Sequence, residues 1–465
     1  MRILRYTFTL IILVTVLLSA CKPTTPEVET PPTIEATSEP GKPQPTVKPT
    51  EPTAEEVTIT VWALAAGLDW IESIAIPAFE ETNPNIKVEL VLYPEEEYGL
   101  KIETAVATKE TPDIALLVLF NAPRVAPVGG LLDLAPYMEK ANLTKQDFCP
   151  SIDSRFNVLN DTLYAIPMDT NIWAMMINKD LFADAGLPEL SPDSYITYDD
   201  WLEYARALTK PSDDYEEYVW GSALFWPRWN SMNNYMSSPF FLGDDGRTCV
   251  GNADTEDWIN FYEASLAAYN EDLMPESAST YTASIAALDL FKQGRLGMIY
   301  GSLGQAYQTR DSGINVGLAG QPVVSPGWKG NVGSWESSWS IFTNSKHPDE
   351  AWKFIQFLAE KGALMVATSD VGFGSAAMPC YKLAQEEFIE ASGNDILVQQ
   401  AITLLDHVQA PPWTVDAWTS STPFEEAWRR MTEDGVDILT AVTDGAIECQ
   451  SATDSLWSEW EALSE

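Results

Sequence analysis

Apolar and β-branched residues alternate through Val57–Trp62 (Val-Thr-Ile-Thr-Val-Trp), the period-2 pattern of a strand. Ile71, Ile74, Ala75, Ala78 and Phe79 then recur at i, i+3, i+4, i+7 and i+8, one face of a helix that Pro77 interrupts and is expected to kink. Asn83-Pro84-Asn85 marks a turn, and Ile86 to Leu92 predicts a second strand. Tyr98 to Thr108 predicts a second helix and the almost wholly apolar Asp113 to Leu119 a third strand. Strand, helix, strand, helix, strand implies an α/β fold, a parallel sheet with helices on both faces. The alternation continues downstream. Thr197-x-x-Asp200 resembles a capping box ahead of a helix carrying Trp201, Ala205 and Leu208. Leu288 and Phe291 predict a helix closed at Gly294, and Pro348 opens one whose face (Ala351, Phe354, Ile355, Leu358) runs to Gly362. The absence of a short-period internal repeat excludes solenoids and propellers.

The first fifty residues follow neither period. Arg2 and Arg5 precede an apolar run, Thr9 to Leu18, ending in Leu18-Ser19-Ala20-Cys21. A basic start, a short apolar stretch and small residues predict a secretory leader over residues 1–20; a membrane span needs about 20 apolar residues. Residues 21–56 are rich in Pro, Thr and Glu, with Val28, Ile34 and Val47 the only large aliphatics after Cys21. Such a stretch cannot bury enough surface to offset its ordering entropy and is expected to be an extended tether.

Charge and composition narrow the chemistry. In 465 residues, 68 Asp and Glu face 27 Lys and Arg, a formal charge of −41, which becomes −43 once Arg2 and Arg5 leave with the leader. A field of that sign repels phosphate backbones and argues against a nucleic-acid partner. The two histidines, His347 and His407, are sixty residues apart and no Cys-x-x-Cys occurs, so no metal or other cofactor is expected. Beyond Cys21, the cysteines Cys149, Cys249, Cys380 and Cys449 allow two disulfides in any of three pairings, among which the sequence does not choose. There is no Gly-x-Ser-x-Gly, P-loop, His-Glu-x-x-His or Ca²⁺-loop motif.

Motifs in order along the chain carry a family resemblance. Pro77-Ala78-Phe79, Asn83-Pro84, Lys87-Val88-Glu89, Thr111-Pro112-Asp113-Ile114 and Gly130-Leu131-Leu132-Asp133-Leu134 come first. Tyr164-Ala165-Ile166-Pro167-Met168-Asp169-Thr170-Asn171, Asn178-Lys179-Asp180-Leu181-Phe182, Phe291-Lys292-Gln293-Gly294, Met298-Ile299-Tyr300-Gly301-Ser302 and Pro348-Asp349-Glu350-Ala351-Trp352 follow. The chain resembles the family 1 extracellular solute-binding proteins of bacterial ABC importers, the maltodextrin-binding type, and Leu18–Cys21 resembles a lipoprotein lipobox. The resemblance implies a two-lobed α/β fold of the periplasmic-binding-protein type II, each lobe a mostly parallel sheet flanked by helices, joined by a multi-segment hinge. It implies one lobe of residues 57–167 with 301–338, the other of 168–300 with 339–465. It also implies a monomer, extracytoplasmic and anchored to the cell membrane by a lipid on Cys21, with a cleft that closes on ligand and docks on permease subunits.

Candidate ligand residues come from the strand ends, the hinge crossings and the 17 tryptophans. Asp69, after the first strand, is placed either to accept hydroxyl hydrogen bonds or to cap the next helix. Asp169, Thr170 and Asn171 lie at the first presumed crossing, where carboxylate and amide groups suit sugar hydroxyls; an ordinary turn after Pro167 is the competing reading. Ser302 lies at the second crossing, where this chain has Leu303-Gly304 in place of the tryptophan usual in relatives, which weakens transfer of a specific subsite. Asp113 is assigned a structural role. Trp62, Trp173, Trp226, Trp229, Trp335, Trp339, Trp413 and Trp418 fall at predicted strand ends or loops, and two or three of them are expected to stack on sugar faces. Glu336 accompanies Trp335 near a crossing. Trp201, Trp352 and Trp428 lie within predicted helices and are assigned to the core. The sequence therefore supports a non-enzymatic carbohydrate binder, with an oligosaccharide as the expected ligand. Anionic solutes are disfavoured unless Arg124 or Arg228 compensates. The alternative is a surface glycosidase or polysaccharide-binding lipoprotein using paired carboxylates.

Overall fold

The structure, a computed structural model, describes residues 56–464 except 66–67, 118–124, 127, 154–157, 160, 224–240, 276–280, 324–331, 371, 374–376 and 409–414. Ala54–Glu465 forms one compact unit, and Met1–Thr53, with the leader, Cys21 and most of the expected tether, lies outside the described residues.

Strand β1 (Val57–Leu64) pairs in parallel with β2 (Ile86–Tyr93) and β3 (Ile114–Leu117), as the period-2 segments predict. The helix between β1 and β2 does not simply kink at Pro77. A π-helical turn, Ile71–Ala75, passes into an α-helix, Ile76–Thr82, with Pro77 in its first turn, where the missing N–H costs least. Asp113 ties this region together: its carboxylate accepts Thr60 N (2.8 Å), Thr60 Oγ1 (3.0 Å) and Ser345 Oγ (2.6 Å). Its role is structural.

The remaining strands among the described residues are β4 (Val158–Leu159), β5 (Thr162–Leu163), β6 (Ile166–Asn178), β7 (Trp220–Ala223), β8 (Leu296–Gly301), β9 (Val316–Ala319), β10 (Gly333–Ile341) and β11 (Met378–Pro379). The main sheet runs β2-β1-β3-β10-β6-β8-β7, with β9 and β11 also on β6. It is mixed: β1, β2 and β3 are parallel to one another, as are β7 and β8, whereas β6 is antiparallel to β8, β9, β10 and β11. The thirteen-residue β6 joins both halves, its Ile166–Trp173 part against β10 and its Ala174–Asn178 part against β8 and β9.

The strand pairing also shows which half each later segment touches. Val316–Ala319 lies on the β8 half, beside Met175–Asn178, not with β1–β3. Ser338–Ile341 pairs with β3, and the Pro348–Thr368 helix packs on β1 and on the Ile71–Ala75 turn, so these belong with the first half. The physical reason is that β10 runs from the β6 contact straight into the β3 contact, taking the chain after it back to the first half.

Local signals perform well where they are local. Thr197 and Asp200 form the reciprocal capping box: Thr197 N donates to Asp200 Oδ2 (2.8 Å) and Asp200 N to Thr197 Oγ1 (3.1 Å). Gly294 adopts φ +75° after the Tyr281–Lys292 helix, the left-handed closure expected of it. Gly362 ends nothing. The Pro348–Thr368 helix continues through it, and a Cβ there would lie 2.8 Å from Met168 Sδ, so glycine permits close approach to β6. Trp201, Trp352 and Trp428 are buried in the core, as expected. Trp339 is fully buried there too, in the main hydrophobic core and not at a ligand surface. The disulfides are Cys149–Cys380 and Cys249–Cys449.

Candidate functional site

The β6–β10 ladder brings the expected polar and aromatic residues together. Asp169 lies opposite Ser337, Asn171 opposite Trp335 and Trp173 opposite Gly333. Directly paired residues of an antiparallel ladder project to the same face and successive residues alternate. Asp169, Asn171, Trp173 and Ser337 therefore occupy one face, and Thr170, Glu336 and Ser334 the other.

On the first face, Ser337 N donates to Asp169 Oδ1 at 3.3 Å. Burial pushes the Asp169 carboxyl up to about 6; the hydrogen bonds from Ser337 oppose that shift and the charge of Glu336 adds to it. Asn171 is half-buried. Trp173 stacks on Tyr300, with ring centroids 5.3 Å apart and planes inclined by 13°. Tyr300 pairs with Met175, two residues beyond Trp173, and so shares the face. Gln321 Nε2 donates to the Trp173 carbonyl at 2.9 Å. The result is a strip about four alternate residues long, roughly 20 Å at 3.3 Å per residue. It carries a carboxyl, an amide and two stacked rings, groups that can accept and donate to hydroxyls and cover an apolar sugar face.

On the second face, Glu336 is buried and accepts Ser334 Oγ at 2.6 Å. Glu336 thus lies on the face opposite Asp169, Asn171 and Trp173. Thr170 Oγ1 is buried without a hydrogen-bond partner among the described residues.

Other expected residues lie elsewhere. Trp62, half-buried on β1, packs edge-on against Tyr93 (5.1 Å), and its carbonyl accepts Tyr98 Oη at 2.9 Å. Asp69 is exposed, and the π-helical turn that follows has no side-chain cap, so the capping alternative is not realised. Ser302 is a helix cap. Its Oγ accepts Gln305 N (3.3 Å) and Gln305 Oε1 accepts Ser302 N (3.0 Å), a Ser-x-x-Gln capping box that was legible in the sequence. Trp418 lies in the Ala417–Thr432 helix, not a loop, with Asp416 capping that helix through Thr419 N (3.0 Å). Only the backbone of Trp335 and Trp418 is described, and Trp226, Trp229, Trp413, Arg124 and Arg228 lie outside the described residues. Ser337 and Tyr300 join the site without having been singled out as ligand residues. The signal for Ser337 was its two-residue spacing from Trp335. Among the described residues no three His, Cys, Asp or Glu side chains form a group able to hold a metal.

Comparison with known proteins matches residues 64–365, more than half of the chain, to the family described as bacterial extracellular solute-binding protein. A binding protein of Brucella abortus is 24% identical over 327 residues, 69% of this chain and 76% of its own length. The erythritol/L-threitol-binding protein of Mycolicibacterium smegmatis is 24% identical over 310 residues, 61% of this chain and 62% of its own length. Among solved structures, the sugar-binding protein MalE of Xanthomonas citri superposes with a TM-score of 0.72 at 19% identity, covering 87% of this chain and 99% of that one.

Proposed function

The chain belongs to the bacterial extracellular solute-binding proteins, and on that premise we propose that it captures a carbohydrate against the Asp169–Asn171–Trp173 face and delivers it to an ABC importer permease. The carrying observation is the juxtaposition on one face of a carboxyl, an amide and the stacked Trp173–Tyr300 pair, at the strand that joins both halves of the fold. A ligand held there contacts both halves only when they close on it, so binding shifts the population toward closure. The sugar and polyol specificities named for the Xanthomonas and Mycolicibacterium relatives support the same solute class. The lobes in this reading are β1–β3 with Ser338–Thr368 and β7–β9 with their helices, the crossings running through β6 and β10. Cys21 carries the lipid, residues 22–56 form the tether, and the body works as a monomer outside the cytoplasm.

Hydrolysis is the weaker reading. A glycosidase needs two carboxyls flanking one bond, whereas Asp169 and Glu336 occupy opposite faces of the ladder.

The test is a thermal-shift panel of polyols, mono- and oligosaccharides, amino acids and sugar phosphates on the Ala54–Glu465 body. A ligand at about 100 times its Kd adds roughly 2.7 kcal/mol, so a shift confined to one carbohydrate class is expected. Trp173→Ala should weaken that ligand about tenfold, roughly 1.4 kcal/mol, while Ser302→Ala should lower only the melting point. A shift produced by amino acids alone, or release of free sugar from a glycoside, would overturn the proposal.

A further inference from the structure

We infer that the Cys149–Cys380 disulfide is a positioning crosslink for the solute-facing strand, setting ligand affinity beyond its contribution to overall stability. This rests on the solute site proposed above. Strand β11 flanks the Asp169 end of β6 on the side away from β10, Met378 opposite Thr170 and Pro379 opposite Asp169. It is two residues long, and Pro379 has no N–H to give to the ladder. So short a strand with a donor missing holds its register weakly by itself.

Cys380 follows Pro379 directly and is buried, as is Cys149. Besides the disulfide, Cys149 N donates to the Cys380 carbonyl at 2.7 Å, Phe148 bridges Tyr381, and their rings lie 5.5 Å apart. On its other side Cys149 leads into the Pro150–Asp153 turn, which packs on β6. The crosslink thus ties the end of β11, which flanks β6 at Asp169–Thr170, to a second segment that also packs on β6, across 231 residues of chain.

The second disulfide supplies a matched control. Cys249–Cys449 spans 200 residues, so the loop-closure stabilisation of the two is nearly the same, growing only with the logarithm of loop length. It joins the loop before the Glu256–Asn270 helix to the Ile438–Ser464 helix, and neither cysteine adjoins a strand. Were disulfides here only a matter of stability, removing either would affect ligand binding alike.

The experiment compares Cys149→Ala/Cys380→Ala with Cys249→Ala/Cys449→Ala in the full chain. Amide hydrogen exchange over residues 166–173 is expected to speed at least tenfold in the first and less than twofold in the second. Titration with the carbohydrate that shifts the wild type should give a Kd raised tenfold or more in the first and less than threefold in the second. Equal changes in both pairs overturn the inference. If the first variant does not fold, two glycines inserted between Pro379 and Cys380 keep the disulfide but uncouple it from β11, and the same changes are expected; wild-type exchange in that variant overturns the inference. If no carbohydrate binds the wild type, the solute reading fails, and the exchange comparison alone still decides the crosslink.

Discussion

Asp169 is a buried carboxyl on the Asn171–Trp173 face of β6, and its raised pKa has a thermodynamic consequence. Its folded value of about 6 exceeds the ordinary 3.8, so between those values the folded state binds the proton more tightly than the unfolded chain. The folded state therefore loses stability as pH rises from about 4 to about 6, and the penalty is constant above. Asp169→Asn, which cannot ionise, should be the more stable protein at pH 7.5 by on the order of 3 kcal/mol, at 1.36 kcal/mol per pKa unit, with little difference at pH 4. Urea unfolding at the two pH values measures this; a gap that does not change with pH would contradict it. The residue types in Asp169-Thr170-Asn171 suggested contact with hydroxyls from sequence. The face each one occupies, and the place of Glu336 on the opposite face, followed only from strand register.

Among the elements, helices and strands with strong local signals form where their patterns place them: β1, β2, the capped Tyr198–Leu208 helix and the helix closed by Gly294. Glycines show where local reading stops. Gly362 has the position of a helix terminator yet serves close packing against Met168. Gly221 on β7 is more extreme, since a Cβ there would overlap the Ala205 carbonyl of the Tyr198–Leu208 helix. Gly221→Ala should cost about 3 kcal/mol, the upper end for overpacking, because backbone must move to admit the methyl. Chemical denaturation of the variant reads this out; a loss below about 1 kcal/mol would mean that helix and strand are less closely packed. Ser302 makes the complementary point. Its capping box was written in Ser302-x-x-Gln305, and local hydrogen bonding, not ligand, accounts for it.

At the scale of the whole molecule the excess of acidic groups dominates. A formal charge of −41 works against the compact state by self-repulsion, and the Debye length shrinks from about 30 Å at 0.01 M salt to about 3 Å at 1 M. The melting temperature should therefore rise by a few degrees between 10 mM and 500 mM NaCl; an unchanged or falling midpoint would show that the ion pairs outweigh the repulsion. Most of those pairs are surface contacts such as Arg206–Glu271 and Lys140–Asp349, each worth little alone.

The sequence by itself determined the α/β class, the period of most elements, the family and the residue types at the candidate site, because each is carried by neighbours within a few positions. Only the tertiary structure decided the cysteine pairing, the pairing of Val316–Ala319 with β6 and of Ser338–Ile341 with β3, the burial of Trp339 and the two faces of the β6–β10 ladder. Those properties join segments more than a hundred residues apart, and a one-residue change of register reverses every side chain on a strand. Nothing within a local window carries that information.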